Sequence, residues 1–574
     1  MGENALPSQT LRGAQSAIFD VARGRLSVVL TVFLCAYVLI GARLVDLSVV
    51  QGTLLQIRAD DTYSLAGSGS DQSDPKSTVQ PNIYDRNGLL LATTMPTRSL
   101  YANPRKVVDA EELSAALLRV FPELNSEALS ENLSSTKGFT WVKRELTPEQ
   151  ANAVLAIGDP ALGFEAEQRR VYPQRALAAH LLGYRNIDET GLAGIERTLK
   201  GAQSDRVNLS LDIRLQHILE AELQETIEEF AARAGTGLIM DIRSGEILAG
   251  ASLPDFDPNH AGAATDAARF NRLSLGVYEL GSIFKVFSTA ALIDSGAELS
   301  RKFDARKPLK HGRHTIRDFH PEKRVMTVPD VFIHSSNIGS AMMGLELGDK
   351  DFKSYYKKLG LLSAPEIEIT EVGHPLVPQP WRSINTLTAS YGHGVAVSAL
   401  QLAAAVAATV GDGTYITPTI LQQSGTDTRL RNKVFSEETA LKMRKLMRLA
   451  VTDGTGRNGD VPGYQVGGKT GTAEQPGPNG YDSDQLMSSF VSVFPMSEPR
   501  YLVLVAIDRP QGHEGTFGYA TGGWVAAPTT ARIIRRMTQV MGISPQDYDD
   551  DAFLADVRRY LPKKEEGRHA RATY

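Results

Sequence analysis

The sequence predicts an α+β fold built on an antiparallel sheet whose strands lie far apart along the chain. Segments that read as strands cluster at residues 237–241 and 246–252, and again much later at 465–472, 490–494 and 501–508. Between the clusters the pattern is mainly helical, over 284–294, 340–347 and 398–410. Strands at both ends with helices between describe a sheet that the C-terminal portion completes and helices flank. At 574 residues, 42% of them apolar, the chain holds more than one domain and ample material for buried cores.

The elements follow in order. Residues 1–25 form a short polar tail. Residues 26–42 carry no charge and are flanked by Arg23, Arg25 and Arg43. At about 1.5 Å per residue this run reaches roughly 25 Å, near the short limit of a membrane span. Arg12, Arg23 and Arg25 outweigh Arg43, which places the N-terminus in the cytoplasm and the bulk of the chain outside. A cleaved signal peptide is the rival, but no A-x-A-like site closes the run. Cys35, the single cysteine, follows the bulky Leu34 and reads as a membrane-buried packing residue. One cysteine makes no intramolecular disulfide. Residues 66–81, rich in Ser, Gly and Asp, read as a linker. Asn87-Gly88 between apolar residues marks a hairpin over 83–92. Helical patterns at 110–120 and 148–157 alternate with loops, and a further one covers 213–232 before the first strand cluster. The tail beyond Pro562 is charged and reads as mobile.

The net charge of −5 carries no nucleic-acid footprint, and no His/Cys cluster has metal-ligand spacing. His334 and His393 read as structural. Function is therefore decided by three short motifs in a fixed order: Ser282-Ile283-Phe284-Lys285, Ser335-Ser336-Asn337 and Lys469-Thr470-Gly471-Thr472. S-x-x-K alone decides little, since a chain this long holds it about twice by chance. It recurs here at Ser73–Lys76, Ser134–Lys137 and Ser354–Lys357, and S-x-N recurs at Ser130–Asn132 and Ser383–Asn385. Only Ser282 follows a Gly-bearing turn and opens a long apolar segment. K-T-G occurs once. A serine hydroxyl becomes a nucleophile when a base takes its proton, and a lysine one helical turn on would lie on nearly the same face. Apolar neighbours such as Phe284 and Phe287, with Lys469 as a second cation, would lower the pKa of Lys285. Gly467 and Gly468 leave the strand edge at Lys469 open to an extended peptide. Ser336 reads as a backbone-capping hydroxyl.

The joint pattern resembles the S-x-x-K, S-x-N, K-T-G signature of penicillin-reactive serine acyltransferases. Over nearly the whole chain after the N-terminus, the sequence is similar to class B penicillin-binding proteins of the division-specific FtsI type. Asp85-Arg86-Asn87-Gly88, Gly194-Ile195-Glu196, Phe256-Asp257-Pro258-Asn259 and Tyr391-Gly392-His393-Gly394 carry that resemblance alongside the motifs. Leu280 stands where the family usually has proline.

The resemblance implies a penicillin-binding, serine β-lactamase-like domain with a five-stranded antiparallel sheet flanked by helices, over residues 213–545. A mixed α/β pedestal over 43–212 would precede it, with an anchor at 26–42 and a C-terminal tail at 546–574. It implies a D,D-transpeptidase that cross-links stem peptides ending in D-Ala-D-Ala during septal wall synthesis, and that β-lactams acylate. In that reading Ser282 is the nucleophile and Lys285 its base, Ser335 relays a proton to the leaving amine, and Asn337 orients the substrate amide. Lys469 adds positive charge, and Thr470, Gly471 and Thr472 bind the substrate, with hydroxyls toward a terminal carboxylate. The N–H groups of Ser282 and Thr472 would form the oxyanion hole. No metal or organic cofactor is implied. A membrane glycan-strand polymerase and divisome proteins are the implied partners, and the inner membrane, enriched at the septum, the implied location. An elongation-specific enzyme of the same class and a non-catalytic β-lactam-binding scaffold are the alternatives. A β-lactamase would be a much shorter chain and would need a water-activating base, for which Glu474 has no evident geometry in the sequence.

Overall fold

The computed structural model describes residues 80–199, 204–423, 431–477 and 480–562. The expected membrane run at 26–42, all but the last two residues of the linker expected at 66–81, and residues 563–574 lie outside them. Among the described residues no helix is long and apolar enough to cross a membrane.

A small mixed sheet opens the described chain, with β1 (Asn82–Tyr84), β2 (Leu90–Ala102), β3 (Thr140–Leu146), β4 (Leu162–Val171) and β5 (Arg206–Asn208). β2 is its spine, antiparallel to β1, β3 and β4, while β5 runs parallel to β1. The Asn87-Gly88 signal is a turn between β1 and β2. Asp85 accepts from the backbone N–H groups of Asn87 and Leu89, both at 2.8 Å, and Gly88 takes φ 84°. Helices α1 (Ala110–Val120) and α2 (Pro148–Ile157) begin at side-chain caps, Asp109 for the first and a Thr147/Gln150 capping box for the second. Their apolar faces close a small core of Leu100, Leu113, Leu117, Phe121 and Val154. The sequence pattern marks no strand at β3. Alternation there breaks at Lys143-Arg144-Glu145, where Glu145 takes φ 55° and the register against β2 shifts.

The larger sheet has the order β8–β9–β10–β6–β7, every pair antiparallel. Its strands are β6 (Ala234–Asp241), β7 (Glu246–Leu253), β8 (Gly467–Gly477), β9 (Gly480–Phe494) and β10 (Tyr501–Asp508). β6, β7 and β10 are buried along their whole length, which is why they read as near-continuous apolar runs. Alternation still assigns the faces. Ile239, Val503 and Val505 pack under α3 (Ile213–Glu229) and α8 (Ala526–Val540). Leu238, Met240, Leu502 and Leu504 face the opposite core, which holds α4 (Lys285–Asp294), α5 (Asn337–Leu347), α6 (Ala399–Val410) and α7 (Glu437–Thr452).

The two edges of this sheet differ. Along β7 the chain near Thr419 pairs with the edge, accepting from Ile247 N–H at 2.8 Å and donating to the Gly245 carbonyl at 3.0 Å. Along β8 no further strand pairs among the described residues. The β8–β9 hairpin runs well beyond the predicted segments, because Pro476, Gly477 and Gly480 interrupt the apolar pattern without interrupting the ladder. Within residues 546–562, helix α9 (Asp550–Arg558) buries Leu554 and Val557. Arg448 of α7 ties it down, donating to Asp550 at 2.5 Å, to Asp460 at 2.6 Å and to the Val466 carbonyl just before β8 at 2.7 Å.

Where the small sheet meets the next segments, Glu196 is fully buried and takes Arg170 at 2.6 Å and Arg185 at 2.5 Å, both guanidinium side chains only 3% exposed. Removing one partner of a buried ion pair strands the other charges. Glu196→Ala should cost about 3–5 kcal/mol of stability, read as an earlier denaturant midpoint. Loss under about 1 kcal/mol would mean that water rescues both guanidiniums.

Candidate active site

Ser282 lies in a 3₁₀ turn, Gly281–Phe284, and α4 starts only at Lys285. The helix expected over 284–294 is found within one residue of its expected start, with Ser282 in the tighter turn that leads into it. The tighter turn matters chemically, because three residues per turn stack positions i and i+3 directly above one another. It brings Lys285 Nζ to 2.8 Å from Ser282 Oγ.

Backbone packing holds this turn in place from both sides. Gly281 takes φ 56°, and a methyl group there would stand 2.6 Å from the Thr472 carbonyl. A methyl at Gly392 would stand 1.9 Å from the Gly281 carbonyl, and one at Gly471 2.2 Å from that of Leu280. The nucleophile turn is thus wedged between β8 and the 391–394 turn with no space for a side chain at either contact. The Tyr391-Gly392-His393-Gly394 motif gains its physical reason here.

Lys285 is fully buried. Its Nζ lies 2.5 Å from the Ser335 carbonyl, 2.8 Å from Asn337 Oδ1 and 3.0 Å from Ser335 Oγ. Burial, reinforced by the nearby Lys469 charge, holds this amine well below the usual lysine range, with Asp318 opposing in part. A neutral amine has two N–H donors and one lone pair. The Ser335 carbonyl and Asn337 Oδ1 only accept, so they take both donors. The lone pair is left for the Ser282 hydroxyl.

Ser335 reaches the site in the left-handed conformation, φ 57°. Its hydroxyl also meets Lys469 Nζ at 3.0 Å. Lys469, on β8 and buried, sits 6.0 Å from the centre of the Phe332 ring, and burial brings its pKa down to about 7. Ser336 caps α5, accepting from Gly339 N–H at 3.0 Å. Asn337 donates from Nδ2 to the Arg317 carbonyl at 3.1 Å. Of the expected substrate-binding hydroxyls, Thr470 pairs with Thr455 at 2.8 Å, and Thr472 accepts from Gly522 N–H at 3.0 Å, leaving its own O–H to donate. Gly471 forms the crossing beneath Leu280. The arrangement can transfer a serine proton to a neutral amine and pass it through a shared hydroxyl to a second one.

The decoy serines are elsewhere. Ser134 and Ser354 are exposed beside exposed lysines, and Ser73 lies outside the described residues. His334 pairs with Asp330 at 3.0 Å. Among the described residues no cluster of His, Cys, Asp or Glu has the makings of a metal site.

Sequence reasoning missed Asp318. Its carboxylate accepts from Ser336 Oγ at 2.9 Å and Ile338 N–H at 2.9 Å, fastening the strained Ser335 turn to the α5 N-terminus. An Asp eighteen residues before Ser336 carries no local signal, since only the folded loop brings it near.

Known proteins share both the sequence and the fold. Residues 235–535 match the penicillin-binding protein transpeptidase domain, and residues 81–206 the penicillin-binding protein dimerisation domain. The chain is 39% identical to the Caulobacter vibrioides protein named "Probable peptidoglycan D,D-transpeptidase FtsI", over 84% of each. It is 28% identical to the Escherichia coli K12 "Peptidoglycan D,D-transpeptidase FtsI", over 86% of this chain and 89% of that one. Penicillin-binding protein 3 of Mycobacterium tuberculosis, solved with ampicillin, shares the fold at a TM-score of 0.65 and 23% identity, covering 82% of this chain and 97% of the other. The chain belongs to the class B penicillin-binding proteins, in the FtsI-type branch.

Charge on Asp318 strengthens both bonds it accepts. Asp318→Asn should slow acylation by a fluorescent penicillin about tenfold, the loss of roughly one charged hydrogen bond. An unchanged rate would show that the α5 cap alone holds Ser335.

Proposed function

We infer that this protein is a peptidoglycan D,D-transpeptidase of septal wall synthesis, working through an acyl-enzyme on Ser282. The observation that carries the reading is the Lys285 amine, buried, lowered in pKa and 2.8 Å from Ser282 Oγ with both donors already engaged. Ser282 gives its proton to Lys285 as Oγ attacks the carbonyl of the penultimate D-Ala. Collapse of the tetrahedral adduct breaks the peptide C–N bond, and Ser335, between the two lysines, delivers a proton to the departing D-Ala nitrogen. The amine of a neighbouring stem then attacks the ester and loses its proton to the same relay. The C–O bond breaks, and Ser282 regains its hydroxyl. In a β-lactam the broken C–N bond lies in the ring, so the leaving amine stays tethered and obstructs the acceptor.

The Ser282 and Thr472 N–H groups serve as the oxyanion hole in this scheme, where losing one donor costs on the order of 100- to 1,000-fold in rate. Lys469, Thr472 and the bare β8 edge receive the stem terminus, Asn337 stands by to orient its amide, and Thr470 supports the strand through Thr455. Residues 43–212 act as the pedestal, 213–545 as the catalytic domain and 546–574 as the C-terminal tail. A glycan-strand polymerase and divisome proteins would dock on the anchor and pedestal.

Mass spectrometry of the penicillin-treated protein should find one adduct, on Ser282, and none in Ser282→Ala. Lys285→Arg keeps a basic side chain that stays protonated, since an arginine pKa exceeds about 12, and should lose acylation by at least about 1,000-fold. Adduct in Ser282→Ala, or wild-type kinetics in Lys285→Arg, would sink the mechanism.

The membrane run at 26–42 serves as an uncleaved inner-membrane anchor with residues 1–25 cytoplasmic. An N-terminal tag should therefore stay with the membrane fraction, while protease added to spheroplasts removes the catalytic domain. Loss of the tag by cleavage near Ala42 would make the run a signal peptide.

A further inference from the structure

The nucleophile turn begins two residues after a carboxylate that no step above uses. Glu279 accepts at Oε1 from the Gly394 N–H at 3.0 Å and from the Tyr481 hydroxyl at 2.8 Å. Its Oε2 lies 3.2 Å from His393 Nδ1. Those three donors come from two separate segments, the 391–394 turn and strand β9. The His393 and Tyr481 rings also pack on each other, centroids 4.7 Å apart, and the Tyr391 ring stacks 6.4 Å from His393. One carboxylate therefore ties the 391–394 turn directly, and β8 through its ladder to β9, to the stretch of chain that leads into the Ser282 turn.

The location gives this convergence its weight. Gly392 presses on the Gly281 carbonyl, and the Thr472 carbonyl faces Gly281 from the other side. The two N–H groups assigned to the oxyanion hole belong to Ser282 and Thr472, so their separation depends on how tightly these three segments are held together. Backbone contact alone sets a minimum distance. A polar tie is what opposes their parting.

We propose that Glu279 is a positioning residue, a clamp through His393, Gly394 and Tyr481 that fixes the spacing of Ser282 against Thr472 and so sets the acylation rate. The proposal rests on the reading of Ser282 as nucleophile. Glu279 touches no reacting atom and acts through the turn it holds.

The charge balance of the clamp is local. Among the described residues His393 is the cation within ion-pair distance of Glu279. The groups facing His393 are Glu279 before the nucleophile turn, Tyr391 on its own turn, Tyr481 on β9 and Glu474 on β8. Hydrogen bonding to Glu279 raises the His393 pKa above the ordinary histidine value. A group whose folded pKa is raised gives its full interaction at low pH and loses it as pH rises through that pKa. Once His393 is neutral, the Glu279 charge loses its ion pair and keeps only neutral donors, and Glu474 stands nearby with the same sign. The clamp is accordingly tightest below the His393 pKa.

The test is the second-order rate of acylation of the full-length protein by a fluorescent penicillin, from about pH 5.5 to 8.5, a range that spans a raised histidine pKa. Each variant is divided by wild type at the same pH, which cancels the titration of the lysines. Glu279→Gln keeps an amide oxygen but loses the charge. It should be about tenfold slow at the acid end, narrowing to about threefold at the alkaline end, with Tm little changed. His393→Gln should reproduce the acid-side deficit and add nothing to Glu279→Gln in the double variant. Tyr481→Phe, on a partly exposed ring, should be about threefold slow at every pH. A pH-independent deficit in Glu279→Gln, or wild-type rates in both His393→Gln and Tyr481→Phe, would overturn the clamp even if Glu279→Gln proved poorly folded. Ser282→Ala in the same assay separates the two readings: labelling there overturns the nucleophile assignment, and a blank there leaves any failure with Glu279 alone.

Discussion

Two buried lysine amines share one serine hydroxyl, and most of the site follows from that crowding. Lys285 and Lys469 are both buried and both lie 3.0 Å from Ser335 Oγ. Two ammonium ions so placed would repel each other with little solvent to screen them. One of them must give up its proton, and the neighbours decide which. Lys285 faces two obligate acceptors and a hydroxyl, an environment that a neutral amine satisfies completely. Lys469 keeps an aromatic face and a bare strand edge, where an anionic ligand would restore its charge. The asymmetry between base and anion clamp is written in hydrogen-bond capacity and burial. It needs no ionised partner beyond the distant influence of Asp318.

Holding that pair in register is the task of the larger fold. Lys469 comes from β8, Ser335 from the turn before α5, and Lys285 from the first turn of α4, which are far apart in the chain. The sheet fixes β8 through its ladder to β9, and Arg448 pins the start of β8 to α7 and α9. Asp318 fastens the Ser335 turn.

What the sequence made legible follows from range. The three motifs are local in sequence, and their order survives any folding, so Ser282, Lys285, Ser335, Asn337 and Lys469 could be named together before any coordinate was known. The helices at 110–120 and 148–157 were legible as helical patterns, and the structure adds the side-chain caps at which they begin. Strands β6, β7 and β10 were legible as apolar runs. Other features were hidden because they exist only by long-range contact. Asp318 and Glu279 look like any exposed acid. The outer half of the β8–β9 hairpin carries prolines and glycines that argue against a strand. The 3₁₀ turn at Ser282 has no sequence mark beyond Gly281, and its closer spacing of Ser282 and Lys285 depends on the wedge between Gly392 and Thr472.

The unpaired edge of β8 has a cost that catalysis alone does not reveal. A row of free backbone donors and acceptors welcomes any extended chain, including another copy of this protein caught half-folded. The opposite edge of the sheet is covered by the Thr419 segment. The β8 edge cannot be covered in the same way without shutting out a peptide. The turn from Leu280 to Ser282 crosses β8 at Gly471 and Thr472, so close that neither Gly281 nor Gly471 has room for a methyl group. That crossing lies over one face of β8, beside the open edge. The same few glycines that seat the nucleophile let its turn lie against β8 with no side chain between, beside an edge that stays open to one extended chain.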